Sequence, residues 1–233
     1  MKTCRNGYDG KGQQIVKQLS NISEHWNELG SVPCVVEQKV ALDAEFSVIV
    51  CRSEQGQIAL FAPTQNVHLD GVLDVSTAPS QLDSQMLDQG KSAATRIAEE
   101  LDYVGVLAVE FFVSENRLFV NELAPRPHNS GHWTLDAART SQFEQQVRAL
   151  VGEPLGDPSM TCSAVAMVNL LGDRWANGEP LFERVETESC AHLYLYGKKE
   201  ARAGRKMGHL TMTGDHVEAT ATSAITLRNA ITR

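Results

Sequence analysis

The sequence predicts an α+β fold, because paired strands and separate amphipathic helices follow one another along the chain. Residues 46–52 have the pattern of a strand and are expected to pair with 57–62 across a turn at 53–56. Residues 83–101 repeat apolar side chains at helical spacing, which predicts an amphipathic helix. Residues 106–113 and 118–123 predict a second hairpin.

The other elements are predicted from the same signals. They are a helix at 23–29 with Ser23 as N-cap and Gly30 at its end, a strand at 32–40, a loop-rich stretch at 63–79, a helix from Ser130 or Thr134 to about 151, strands at 164–171, 192–196 and 207–212, and a closing helix at 217–233. The strands after residue 156 predict a small β-rich C-terminal part.

Composition excludes several classes of function. The chain has 233 residues, 42% hydrophobic and 21% charged, so it can bury a core in one large domain or two small ones. A net charge of −8 disfavours non-specific binding to nucleic acid and to anionic membranes. No apolar run reaches the roughly 18–20 residues that span a bilayer, and the first residues lack the apolar stretch of a secretory signal. Five scattered cysteines without a C-x-x-C pair are typical of reduced thiols in a cytosolic protein.

The densest group of polar side chains lies at residues 119–133, which read Phe-Val-Asn-Glu-Leu-Ala-Pro-Arg-Pro-His-Asn-Ser-Gly-His-Trp. A short strand carries Glu122 and runs into a Pro-Arg-Pro turn, where two prolines forbid a continuing helix. An arginine, two histidines and an asparagine are more than a simple turn requires. The stretch therefore predicts a functional site beside the end of a strand.

A glycine-rich segment lies near the start of the chain. Gly7, Gly10 and Gly12 surround Lys11, and backbone amides together with a lysine are what a polyphosphate requires. The spacing is neither that of a Walker A loop nor that of a Rossmann fingerprint. The alternative is a hairpin tip without a ligand.

Two carboxylates are candidates for a metal site. If the turn of the second hairpin has three residues, 115–117, then Glu110 and Glu122 lie directly opposite each other, about 5 Å apart on one face of the sheet. A two-residue turn would place them on opposite faces. We expect the three-residue turn, with Mg²⁺ between the carboxylates and nucleotide phosphates supplying its other ligands. The alternative is one exposed edge position and one carboxylate satisfied by an arginine.

A basic turn at residues 197–206 holds five cations in an acidic protein. It leads into the strand at 207–212 and is a candidate phosphate clamp. A solvated basic loop is the alternative.

These motifs, in this order, resemble those of the N5-carboxyaminoimidazole ribonucleotide synthase family, which is an ATP-grasp family. The resemblance is carried by Gly7–Gly12, Glu37-Gln38, the string from Asn121 to His132, and Arg205-Lys206-Met-Gly-His209. It covers nearly the whole chain, and Pro-Arg-Pro-His-Asn-Ser-Gly-His is its most specific part. The resemblance implies a partial ATP-grasp fold, with a nucleotide-lid part at 1–40 and a larger part at 41–155, followed by a small C-terminal domain at 156–233.

The resemblance also implies an activity and roles for residues. The activity is the ATP- and Mg²⁺-dependent joining of bicarbonate to the amine of 5-aminoimidazole ribonucleotide, in a cytoplasmic protein whose full-length relatives are commonly homodimers. The implied ATP contacts are Lys2, Asp9, Gly10, Lys11, Gly12, Gln13, Glu37, Gln38, Lys39, Val40, Glu45, His68, Asn121 and Glu122. The other implied roles are Mg²⁺ binding by Glu110 and Glu122, bicarbonate binding by Arg126 and His128, and ribonucleotide binding by Asn129, Lys198, Arg205 and Lys206.

The family has a Rossmann-like domain before the Lys-Thr strand, and this sequence starts at that strand. The chain alone is therefore expected to bind nucleotide weakly and to turn over slowly or not at all. Two alternatives remain: a different ATP-grasp ligase, such as a formate-dependent glycinamide ribonucleotide formyltransferase, and an inactive truncated chain that only binds nucleotide or a partner.

Overall fold

The computed structural model describes residues 1–7 and 11–232. Its eleven strands and five α-helices lie in chain order as follows: β1 Lys2–Thr3, α1 Ile22–Glu28, β2 Cys34–Val35, β3 Ala44–Arg52, β4 Ile58–Leu60, β5 Thr64–Leu69, β6 Val72–Ala78, α2 Ser84–Glu100, β7 Gly105–Ser114, β8 Arg117–Ala124, α3 Thr134–Ala137, α4 Gln142–Val151, β9 Ala164–Leu171, β10 Ala191–Leu195, β11 Lys206–Gly214 and α5 Val217–Ile231. The α+β class is confirmed.

One antiparallel sheet of nine strands organises the structure. Its order is β10-β11-β9-β6-β5-β3-β7-β8, with β4 also paired to β3, while β1 and β2 form a separate pair. The side chains of β3 alternate between the two faces of this sheet. Phe46, Val48 and Val50 pack with α2, whereas Ile49 and Cys51 pack with Trp133 on the opposite face.

The prediction of a loop-rich stretch at 63–79 is wrong, because β5 and β6 form a hairpin there. Its turn is Asp70-Gly71, and both residues have positive φ. An Asp-Gly pair between two strands is a strong hairpin signal, which the sequence analysis did not use. This correction matters because β5 carries two polar side chains, Asn66 and His68, next to the site.

Two other predicted elements are shorter than expected. The predicted helix from 130 to 151 is interrupted, since Ala138 is extended and bridges Met160 before Ser141 caps α4 through Glu144 N. The predicted strand at 32–40 is regular only at Cys34–Val35. Helix α1 begins one residue before the predicted N-cap, and the side chain of Asn21 makes no capping bond.

The C-terminal strands continue the same sheet. Strand β9 pairs with β6 on one side and with β11 on the other, so the chain beyond residue 156 adds three strands to the edge of the central sheet. Helix α5 packs against this part through Ala224, Leu227 and Ile231. The domain boundaries at 40 and 155 stay predictions.

Candidate active site

The β7–β8 hairpin brings Glu110 and Glu122 together by a route the sequence analysis did not foresee. The prediction of a three-residue turn is wrong: Ser114 pairs with Arg117, and the two turn residues have positive φ. A bulge then places Asn121 as an extra residue in β8, so Glu110 still pairs with Glu122. The predicted pairing is confirmed, and the bulge is its cause. It also brings Asn121 Nδ2 to 3.5 Å from Glu110 Oε2, although alternation had predicted the other face.

The pKa values of the two carboxylates are shifted in opposite directions. Burial alone would raise the pKa of Glu110, but the hydrogen bond and charge of His128 outweigh it, so the pKa of Glu110 is lowered. The pKa of Glu122 is raised by burial and by the charge of Glu110. The charges of Lys2 and Arg126 lower the pKa of Glu122, so both cations lie within electrostatic range of this carboxylate. A carboxylate pair of this kind is stabilised by a cation.

The described residues fit Mg²⁺ only in part. They contain no group of three or more His, Cys, Asp or Glu side chains that could hold a metal ion by themselves. Mg²⁺ needs few protein carboxylates when phosphates and water supply its other ligands. Glu110 and Glu122 therefore suit a Mg²⁺–nucleotide complex better than a free metal ion.

The turn at residues 125–128, here called the Arg–His turn, lies directly beside this pair. His128 Nε2 is 3.0 Å from Glu110 Oε1, and the side chain of His128 is largely buried. Arg126 is exposed, and its Nη1 donates to Pro127 O at 3.0 Å. The turn thus presents one buried imidazole and one exposed guanidinium close to the two acids.

Gln142 fixes the backbone of the Arg–His turn. Its Nε2 donates to His128 O at 2.7 Å, and its Oε1 accepts from His128 N at 2.9 Å. Gly131 leaves room for this arrangement, because a Cβ there would lie 2.0 Å from Ile49 Cδ1 and 2.9 Å from Gln142 Oε1. Gln142 was not among the predicted site residues, because an uncharged glutamine at the first position of a helix gives no signal in the sequence.

The structure describes some, but not all, of the residues predicted to bind the phosphates. Lys2 and Gln13 form an isolated antiparallel β-bridge, and Gly12 has a φ of 73°, which suits glycine. Lys2 Nζ forms an ion pair with Glu37 Oε2 at 2.9 Å, so these two predicted ATP contacts lie together. Lys11 is exposed and interacts with neighbouring groups. Asp9 and Gly10 lie outside the described residues.

The implied ATP contacts at residues 37–40 do not lie on a regular strand. Residues 36–43 have no strand structure, and Gln38 and Lys39 are exposed while Val40 is half-buried. The prediction that the strand at 32–40 continues through these residues is therefore wrong. At its end the backbone N–H of Asp43 donates to Val113 O on β7 at 2.8 Å.

Glu45 on β3 and His68 on β5 form a carboxylate–imidazole pair. His68 Nδ1 lies 2.9 Å from Glu45 Oε2. Burial would lower the pKa of His68, but the hydrogen bond and charge of Glu45 and the charge of Glu110 raise it overall. The structure therefore brings Glu45 and His68 together and puts them in the field of Glu110.

The residues predicted to bind the ribonucleotide divide into two groups. Lys198 Nζ donates to Lys206 O, and Arg205 Nη1 donates to Glu200 O at 2.9 Å, so both side chains fold onto the basic turn. The charge of Lys206 lowers the pKa of His68 and of His132, so Lys206 lies near the site. Asn129 is buried; its Oδ1 lies 2.9 Å from His132 Nδ1, and its Nδ2 has no hydrogen-bond partner among the described residues.

A column of stacked rings joins this region to the C-terminal strands. Phe143, His132, His209 and Tyr194 stack in that order, with centroid separations of 5.5, 4.8 and 4.7 Å. Burial lowers the pKa of His132 to about 3, helped by the charge of His209, and burial lowers the pKa of His209 to about 4. Both rings are therefore neutral at pH 7.

This column predicts a loss of stability in mild acid. Between pH 6.5 and about 4 both histidines are protonated in the unfolded chain but neutral in the folded chain. The free energy of unfolding therefore falls as the pH falls. The slope is about 1.4 kcal/mol per pH unit for each histidine. Urea unfolding at pH 7.0, 5.5 and 4.5 measures it. His209→Phe keeps a ring in the column and is expected to reduce the slope by the contribution of one histidine, about 1.4 kcal/mol per pH unit. An equal slope in the variant would show that His209 does not cause the loss of stability.

Comparison with known proteins agrees with this geometry. Residues 1–143 match the ATP-grasp domain, and residues 165–223 match the phosphoribosylaminoimidazole carboxylase C-terminal domain. The N5-carboxyaminoimidazole ribonucleotide synthase of Bacillus subtilis is 45% identical over 212 residues, which are 91% of this chain and 55% of that protein. The same enzyme of Vibrio vulnificus is 42% identical over 223 residues, covering 93% of this chain and 57% of its own length.

Solved structures give the same result. A crystal structure of an ADP complex of purK, N5-carboxyaminoimidazole ribonucleotide synthetase, has a TM-score of 0.87 at 38% identity and covers 97% of this chain and 59% of that one. The Aspergillus clavatus carboxyaminoimidazole ribonucleotide synthase complexed with ATP has a TM-score of 0.86 at 26% identity, covering 99% of this chain and 62% of that one. The chain thus spans somewhat more than half the length of the relatives that it matches. It belongs to the ATP-grasp family, and along most of its length it is similar to N5-carboxyaminoimidazole ribonucleotide synthases.

Proposed function

We propose that this chain carries the ATP-binding and carboxylating part of an N5-carboxyaminoimidazole ribonucleotide synthase. The observation that carries the proposal is the pairing of Glu110 with Glu122 directly beside the Arg–His turn. Two acids suited to a metal–nucleotide complex lie next to two cationic or donor groups suited to a small oxyanion. The similarity to the Bacillus and Vibrio enzymes supports the same activity.

The proposed reaction has two steps. In the first step an oxygen of bicarbonate takes the γ-phosphoryl group of ATP and ADP leaves. In the second step the amine of 5-aminoimidazole ribonucleotide forms a C–N bond with the carboxyl carbon and loses a proton; phosphate leaves either in this attack on carboxyphosphate or beforehand, when carboxyphosphate breaks down to CO₂. Phosphoryl transfer needs positioning and charge neutralisation more than covalent help. Arg126 and His128 would hold bicarbonate and stabilise the charge that develops on it.

The remaining roles follow the arrangement of the described residues. Lys2 and the glycine-rich segment would bind phosphates, Glu37 to Val40 the adenine, and Glu45 the ribose, with His68 beside it. Mg²⁺ bound by Glu110 and Glu122 would neutralise the phosphate oxygens. The ribonucleotide would contact Asn129, whose buried Nδ2 lacks a protein partner, and Lys206; Lys198 and Arg205 reach its phosphate only if they leave their present carbonyl partners.

Localisation and oligomeric state are inferred together with the function. None of the helices in the described part of the chain is long and apolar enough to cross a membrane. We infer a cytoplasmic protein that acts on small molecules, and a homodimer for the full-length enzyme.

The test is ADP release by the 233-residue chain with Mg·ATP. We expect slow release that rises when 5-aminoimidazole ribonucleotide and bicarbonate are both present. With ¹⁸O-labelled bicarbonate the released phosphate should contain the label, because one bicarbonate oxygen stays on phosphorus when carboxyphosphate breaks down. Mass spectrometry of the phosphate detects this even at low turnover.

Two controls separate the alternatives. Formate replacing bicarbonate with equal ADP release would contradict the proposal and favour a formyltransferase. Unlabelled phosphate in the presence of labelled bicarbonate would also overturn it. An unchanged melting temperature with Mg·ATP, together with no ADP release, would favour an inactive chain.

A further inference from the structure

The side chain of Gln142 pairs with the backbone of His128 as a neighbouring strand would. Strand β8 ends at Ala124, and His128 beyond it is still extended, with φ −120° and ψ 150°. Its N–H donates to Gln142 Oε1 at 2.9 Å, and its O accepts from Gln142 Nε2 at 2.7 Å and from Gly131 N at 3.0 Å. A backbone N–H can only donate and a backbone O can only accept, so the orientation of the Gln142 amide is determined.

Gln142 is itself held in place by hydrogen bonds and by packing. Its backbone N donates to Thr134 Oγ1 at 3.0 Å, and Thr134 Oγ1 donates to Gly131 O at 2.7 Å. Gln142 and Thr134 are fully buried, and a Cβ on Gly131 would lie 2.9 Å from Gln142 Oε1. A buried amide of this kind is costly unless its hydrogen bonds are made, and here the turn makes them.

The backbone that Gln142 holds carries the two side chains that the proposed function assigns to bicarbonate. The imidazole of His128 lies 3.0 Å from Glu110 Oε1. The guanidinium of Arg126 is exposed, and it donates to Pro127 O within the same turn. Because Arg126 bonds to its own turn, its position follows the backbone of that turn. The separation of the two groups therefore depends on how firmly the backbone of His128 is held.

We propose that Gln142 is a positioning residue for bicarbonate, which sets the place of Arg126 and His128 by holding the backbone between α4 and the turn. The inference rests on the proposed function, in which Arg126 and His128 bind bicarbonate. Binding a small oxyanion requires donors at fixed positions, and a displacement of about 1 Å costs on the order of 100-fold in rate. A residue that only stabilised the fold would change stability without a selective change in oxyanion binding.

Helix α4 contains a matched control for this glutamine. Gln145 is also fully buried, and its amide makes the same pair of bonds to another backbone: Nε2 donates to Gly156 O at 2.6 Å, and Oε1 accepts from Gly156 N at 3.0 Å. Gly156 lies in the segment after α4, which carries none of the predicted site residues. The two glutamines thus have the same burial and the same bonds, but only those of Gln142 reach the turn.

The first measurement is amide hydrogen exchange by NMR in the full chain. We expect the backbone amides of His128 and Gly156 to be protected in the unmodified chain. Gln142→Met, which replaces the amide by an apolar side chain of similar length, should remove the protection of His128 alone, and Gln145→Met that of Gly156 alone. If Gln142→Met does not fold, Gln142→Asn replaces it, because it keeps an amide that is too short to reach both groups of His128, and Gln145→Asn is then its control.

The second measurement is a titration of bicarbonate into the chain saturated with Mg·ADP, followed by the backbone amide signal of Arg126. We expect the folded Gln142 variant to raise the Kd of bicarbonate about 10-fold or more, since one charge-assisted hydrogen bond contributes that much. The matching Gln145 variant should keep the Kd of the unmodified chain. An unchanged Kd in the folded Gln142 variant, or equal losses in the Gln142 and Gln145 variants, would overturn the inference.

The inference and the proposed function fail in different ways. Labelled phosphate from ¹⁸O-bicarbonate, together with an unchanged Kd in the Gln142 variant, would retain the function and refute the positioning role. Bicarbonate binding that depends on Gln142, together with unlabelled phosphate, would retain the positioning role and refute the proposed reaction. No bicarbonate binding by the unmodified chain would overturn both.

Discussion

Glu122→Gln is expected to have opposite effects on stability and on nucleotide binding. In the ligand-free chain burial and then the charge of Glu110 raise the pKa of Glu122, and the second cause means that the two carboxylates repel each other. Removing one charge should raise the melting temperature only slightly, because Glu122 on the edge strand β8 keeps part of its surface exposed and solvent screens much of the repulsion. The same change should remove the further stabilisation that Mg·ADP gives to the unmodified chain. A bound ligand at 100 times its Kd contributes about 2.7 kcal/mol.

Thermal unfolding with and without Mg·ADP measures both effects. Glu115→Gln is the matched control, since Glu115 lies in the turn of the same hairpin and its backbone N–H, not its carboxylate, bonds Asp43 Oδ2 at 2.7 Å. The control should keep the full response to Mg·ADP. A Glu122→Gln chain that responds to Mg·ADP like the control would show that Glu122 takes no part in the site.

Loss of either partner of the buried ion pair Asp74–Arg228 is expected to destabilise the fold by about 3–5 kcal/mol. The guanidinium of Arg228 on α5 contacts both carboxylate oxygens of Asp74 on β6, and both residues are at least nine-tenths buried. Asp74→Ala leaves the arginine charge without its partner in the space between sheet and helix. Urea unfolding should show the loss, and the response to Mg·ADP at low temperature should remain, because this pair lies away from Glu110.

The double variant Asp74→Leu/Arg228→Met is the control for this pair. It removes both charges and replaces them by apolar side chains, so it should recover most of the lost stability. The interaction energy from the double-mutant cycle then measures the pair itself. Additive losses in the double variant would show that burial of the side chains, rather than the charge pair, holds α5 to the sheet.

The sequence predicted the elements whose signals are local. Helix α2 and strands β3, β7 and β9 were placed within two residues, because their apolar spacing is regular and long. The hairpin of β5 and β6 was missed although its Asp70-Gly71 turn is visible, and the break at Ala138 was missed because extended backbone inside an apolar helix pattern depends on its tertiary partner Met160.

The site shows the same division between local and tertiary causes. Glu110 and Glu122 could be paired from the sequence, but the β-bulge that makes the pairing compatible with a two-residue turn depends on the whole sheet. The hydrogen bonds of Gln142 with His128, and of Ser47 with Ser130 and Asn66, join residues far apart in the chain, and no local pattern predicts them. The roles of the site residues in binding ATP and the ribonucleotide stay predictions.

The proposed function depends most on one divalent ion bound between Glu110 and Glu122 together with a nucleotide. Electron paramagnetic resonance of Mn²⁺, which accepts the same oxygen ligands as Mg²⁺, measures this binding directly. We predict that the chain binds Mn²⁺ tightly only when ADP is present, that Glu110→Gln and Glu122→Gln each lose this binding, and that Glu115→Gln retains it. Equal ADP-dependent Mn²⁺ binding in all four chains would contradict the account.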